Sequence, residues 1–111
     1  MIEVLPVRHS EKQLQRITDE AMIYMCACPA QVANQLLSLR ELYSYQQTCI
    51  NDGPLNIQVH ARIAEATRKA HAVLEQCLDK ILDLEGWDRT TLTMPESLRQ
   101  LRDQVIDNES N

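Results

Sequence analysis

The tetrapeptide Asn51-Asp52-Gly53-Pro54 splits the sequence into two long runs of helical period. Asn-Asp favours a turn, Gly accepts the left-handed backbone that ends a helix, and Pro suits the first turn of the next one. Before the break, apolar residues recur at Leu14, Ile17, Ala21, Tyr24, Cys28, Val32, Leu36, Leu39, Tyr43 and Ile50. Most of those steps are three or four residues. After the break they recur at Val59, Ile63, Ala66, Ala70, Leu74, Cys77, Ile81 and Leu84. Here steps of four and three alternate, close to a coiled-coil seam. Two such runs about one turn predict an all-α protein built on an antiparallel helical hairpin, with the second seam facing the first helix.

Composition agrees. With only two Gly and four Pro in 111 residues, the chain lacks the turn chemistry that a sheet of short strands needs. There is no Phe, so the core is expected to rest on Ala, Leu and Ile, and a second copy of the chain is expected to help cover it. Ser10 and Gln13 form a capping box, which starts the first helix after a short arm. Gly86 ends the second run. Thr93 and Glu96 form another box, predicting a last short helix that buries Leu98, Leu101 and Val105. The chain therefore divides into an arm (1–9), one helical domain (10–106) and an acidic tail (107–111) expected to be disordered.

Pro29 leaves two topologies open. It starts a new helix after a tight turn, giving an up-down bundle of three or four helices, or it kinks one long first helix. The residue before a proline avoids helical geometry, which favours the turn. Against it, Met25-Cys26-Ala27-Cys28 holds no turn-forming residue, and Cys is a poor N-cap.

Cys26 and Cys28 flank a single alanine, and the second stands directly before Pro29. Cys28 lies as far before the break as Cys77 lies after it, roughly 34 Å of helix on either side. A hairpin would therefore bring Cys26, Cys28 and Cys77 to one level, with Cys49 at the other end. Three thiolates suit Cu(I), Zn(II) or part of an iron–sulfur site, and Met22 and Met25 could add thioethers. A fourth zinc ligand is not found at that height. The competing reading has more weight, because Cys is a small, readily buried apolar residue and Cys28 and Cys77 fall on apolar stripes. No cofactor is therefore expected, with the soft-metal site as the alternative.

His60 and His71 share one side of the second helix about 16 Å apart, too far to share a metal. They are expected at its boundary or surface, and Asp79 and Asp83 on a solvated face beside Lys80. Tyr43, Tyr45 and Trp87 are the candidate contacts for a protein partner. A net charge of −5 with scattered Lys and Arg argues against nucleic acid, and no apolar run is long enough to cross a membrane. No basic-then-apolar start suggests a signal peptide, so a cytoplasmic location is the default. No acid–base or nucleophile set assembles from the spacing. The expectation is a small, non-enzymatic, homodimeric interaction module with an unidentified protein partner; the alternative is a thiol-based metal-binding or redox-responsive protein.

Overall fold

The computed structural model describes residues 4–22, 28–48 and 54–95. The described residues form α1 (Glu11–Ala21), α2 (Cys28–Thr48) and α3 (Pro54–Glu85), with no named strand among them. The expected turn residues Asn51–Gly53 and the last helix and tail read over 96–111 lie outside the described residues.

Helix α1 starts where its sequence says it should. The Ser10 side chain accepts from the Gln13 backbone N–H at 3.0 Å, and Gln13 Oε1 accepts from the Ser10 N–H at 2.8 Å. Two donors left over at a helix start are thus satisfied reciprocally. Pro29 stands in the first turn of α2, where its missing N–H costs nothing.

Hydrogen bonds between side chains set the directions. Gln46, near the end of α2, meets His60, near the start of α3, at 2.7 Å, while Arg40 reaches His71 and Glu75. The two helices are therefore antiparallel. Helix α1 runs the same way as α3: Arg8 at its start meets Asp79, and Glu20 at its end accepts from the Met94 backbone N–H at 3.0 Å. Leu14, Ile17 and Ala21 of α1 share one buried cluster with Ala30, Ala33 and Leu36 of α2 and with Leu78 and Leu82 of α3. Trp87, Leu92 and Met94, from the segment after α3, close that end.

The segment after α3 is shaped by Gly86 and Asp88. Gly86 has φ +76°; its N–H donates to the Asp83 carbonyl at 3.1 Å and the Trp87 N–H to the Leu82 carbonyl at 3.0 Å. That pair of bonds is a Schellman cap. Asp88 then accepts from the Thr90 and Thr91 backbone N–H groups, which hold its carboxyl below the usual value. The loop closes with the Asp88 N–H on the Thr93 carbonyl and carries Leu92, at φ +57°, into the core.

One expectation about α3 fails. The seam Val59, Ile63, Ala66, Ala70, Leu74, Cys77, Ile81 and Leu84 is not the buried face, although Leu74 packs on the core cluster from its edge. The buried face is Ala64, Thr67, His71, Glu75, Leu78 and Leu82, while Val59, Ala66, Ala70, Cys77 and Leu84 are exposed and Ile63, Leu74 and Ile81 are half-buried. The physical reason is on α2, whose inward side carries Arg40 and Gln46. Those groups need hydrogen-bonding partners, and only the His60, His71, Glu75 side of α3 offers them.

Replacing Gly86 by Ala tests the cap alone, because a Cβ there meets nothing closer than Pro95 Cγ at 3.9 Å. The cost is therefore the positive φ itself, about 1 kcal/mol. In thermal unfolding this is expected to lower Tm by roughly 4–8 °C with helix content unchanged.

Candidate interaction face and the ion cluster behind it

Glu75 is the centre of a buried polar cluster. It lies on the inner face of α3 and is 2% exposed. One carboxylate oxygen accepts from Arg40 Nη2 at 2.7 Å; the other lies 2.9 Å from His9 Nδ1. Arg40 does more than neutralise Glu75. The same Nη2 donates to the His9 carbonyl at 2.6 Å, and its Nε donates to His71 Nε2 at 3.0 Å. One guanidinium thus ties the arm, α2 and α3 together, a use of its rigid fork that a lysine could not reproduce.

The cluster grades outward into solvent through Asp79. His9 Nε2 lies 3.2 Å from Asp79 Oδ1, Arg8 donates to Oδ2 at 2.9 Å, and Arg89 also pairs with this carboxylate. Burial acts to raise the Asp79 carboxyl, but the bonds from Arg8 and Arg89 and the charge at His9 outweigh it and hold it below the ordinary value. Asp83 pairs with Arg89 at 2.7 Å. The two aspartates are therefore partnered by Arg8 and Arg89, not by Lys80 as expected.

His71 is not a boundary residue either. It is 1% exposed, and burial pushes its imidazole below the usual range; Glu75 opposes that shift and Arg40 adds to it. Because Nε2 accepts from Arg40, the ring is neutral with its proton on Nδ1. The Glu75 oxygens, the Arg40 Nε and Nη2, the His9 ring nitrogens and His71 Nε2 all face protein partners. The arrangement locks the arm onto the hairpin.

The expected site residues are distributed differently. Cys28, at the start of α2, and Cys77, on α3, are both exposed, so neither packs as a core residue. Cys26, Met25 and Cys49 lie outside the described residues. Among the described residues, no three His, Cys, Asp or Glu side chains are grouped to hold a metal ion, and no helix is long and apolar enough to cross a membrane. Tyr43 and Trp87 are buried, the indole N–H donating to Glu85 at 2.8 Å, while Tyr45 is exposed. Arg40 and Glu75 were not singled out by sequence. The available signal was the four-residue spacing of Thr67, His71, Glu75 and Asp79, which continues the face of Leu78 and Leu82.

Outside the cluster, the main surface feature is the seam itself. At 100° per residue it lies about 140° round α3 from the buried face. It runs from Leu55 through Val59, Ala66, Ala70, Val73 and Cys77 to Leu84, about 44 Å along the axis. Leu55 is 72% exposed, Val73 65% and Leu84 86%. Its first turns line a shallow concavity with Leu55, Val59, Arg62 and Ile63. No family model matches this sequence, and neither a curated protein nor a solved structure matches it.

Two outcomes follow from the cluster. Arg40→Ala leaves Glu75 as a buried carboxylate without its cation and is expected to cost about 3–5 kcal/mol in denaturant unfolding. The double replacement Arg40→Met/Glu75→Leu should recover most of that loss, since no buried charge is then stranded; equal losses in both would reject the account. His71 gives a pH signature. Its folded value lies below 6.5, so the unfolded chain takes up more protons as pH falls. Its contribution is fully present above the unfolded value and is lost as pH drops towards the folded one. His71→Gln keeps an acceptor for Arg40 but does not titrate. The Tm advantage of the original chain over this variant should be constant near about pH 8 and shrink towards about pH 5. A gap unchanged over that range would contradict the assignment.

Proposed function

We propose that this protein is a non-enzymatic interaction module whose working surface is the outer seam of α3. The observation that carries this reading is that α3 has a second apolar side: Leu55, Val59, Ala66, Ala70, Val73, Cys77 and Leu84 are exposed, while Leu78 and Leu82 are buried with His71 and Glu75 on the opposite face. A lone exposed Leu or Val is ordinary, but a continuous apolar stripe over the whole of a long helix is the mark of a surface made to be covered. The exposed residues recur at steps of three, four and seven, which keeps them on one side of α3 and suits a helix as the covering element. Ala66 and Ala70 in the middle of the stripe permit close approach of the two axes. A second copy of this chain or a helix of another protein would supply the missing apolar surface.

A cluster that fastens the arm also serves this role. It fixes the rotation of α3 about its own axis, and so fixes which side is offered. Tyr45 stands on α2 as an additional exposed aromatic, a residue type enriched where proteins meet.

Site-specific photo-crosslinking in cells producing the full chain tests the reading. A benzophenone side chain at Val73, on the seam, is expected to give a discrete adduct with another polypeptide or a second copy. The same group at Arg68, exposed but well off the seam, is expected to give none. Equal labelling at both positions, or none at Val73, would remove the seam as the working surface.

A further inference from the structure

We propose that the seam of α3 receives an amphipathic helix of another protein that carries Asp or Glu along one edge. This rests on the interaction reading above and adds the chemistry of the occupant.

The inference comes from the border of the seam. At 100° per residue, Arg62, Lys69 and Lys80 fall within about 20° of one another, directly beside the apolar stripe. All three are exposed. Lys69 is paired with Glu65 at 3.2 Å, whereas Arg62 and Lys80 have no ion-pair partner among the described residues. Gln58 and Gln76 fill the rest of this border, and the nearest carboxylates, Glu65 and Asp83, lie about 20° farther from the stripe than those glutamines. A chain with a net charge of −5 has thus collected a row of cations beside its one long apolar stripe.

A second copy fits that row poorly. In a two-fold antiparallel pair each border faces its own counterpart, so Arg62, Lys69 and Lys80 would meet the same cations. In a parallel pair the row would face the opposite border, occupied by Ile63, Leu74 and Ile81, which are apolar and half-buried within their own chain. Neither arrangement sets a carboxylate directly opposite Arg62 or Lys80 across the stripe. A helix with acidic residues at the flanking heptad positions does, and flanking charges are what select the partner and orientation in helix pairs. Its apolar edge would carry Leu-sized side chains to fill the space over Ala66 and Ala70.

The probe is a synthetic helical peptide of about four heptads, with Leu on its apolar edge and Glu at both flanking positions. A twin carries Lys in place of every Glu. Fluorescence anisotropy of each labelled peptide is measured against the full chain. The Glu peptide is expected to bind with Kd on the order of micromolar and at least about tenfold more tightly than its twin. The triple variant Arg62→Glu/Lys69→Glu/Lys80→Glu should reverse that preference, and Val73→Glu should abolish both interactions. All four positions are exposed, so circular dichroism is expected to be unchanged in these variants.

Equal affinity for the two peptides would overturn the acidic partner while leaving the seam as a docking surface. If neither peptide binds and the chain sediments as a dimer that Val73→Glu dissociates, the occupant is a second copy and the proposal fails. If neither binds and the chain is monomeric, the proposal fails too, and the crosslinking at Val73 then decides separately whether the seam docks anything.

Discussion

The ion pair between Arg40 and Glu75 holds the structure in its particular form. Glu75 would be costly to bury alone, and it is buried because the half-buried Arg40 stands against it. Once the pair is made, the remaining donors and acceptors are dictated. His71 must present an acceptor to Arg40 Nε, and the arm must supply the His9 carbonyl and ring. The segment before α1 is thereby part of the fold, not an appendage to it. The same pair fixes how α3 is rotated, because the helix cannot turn its apolar stripe inward without taking Glu75 away from Arg40.

This explains which parts of the fold were legible in the sequence. Local devices read true because they depend on neighbours in the chain. Ser10 and Gln13 cap α1, Gly86 ends α3, and the period of three and four residues identifies the helices without reference to anything distant. The rotation of α3 was not legible, because two candidate faces lie on it. Counting apolar residues chooses the face with Val59, Ala66, Ala70 and Cys77. The chain instead buries Thr67, His71 and Glu75, and the deciding residue, Arg40, belongs to a different helix. No rule based on one helix's hydropathy contains that information.

The same point governs the candidate site. Periodicity identified the stripe correctly and assigned it the wrong neighbour. The near-heptad seam is expected as an internal contact of the hairpin; Val59, Ala66, Ala70, Cys77 and Leu84 stand on an outer surface instead, with Ile63, Leu74 and Ile81 half-buried at its edge. Cys77 moves with it, from an expected core position to an exposed one. His71 moves in the opposite direction, into the interior, while His60 stays at the boundary, half-buried against Gln46.

The arm contacts also have a temporal side. His9 and Glu75 are 66 residues apart in sequence, and Arg8 and Asp79 are 71 apart. Closing so long a loop is entropically slow compared with joining α2 to α3 across their short connection. The hairpin therefore assembles first, with Arg40 and Glu75 already adjacent, and the arm closes over them last. The order of detachment is the reverse: the N-terminal strap is the first part to lift, and it uncovers the charges that no other segment shields.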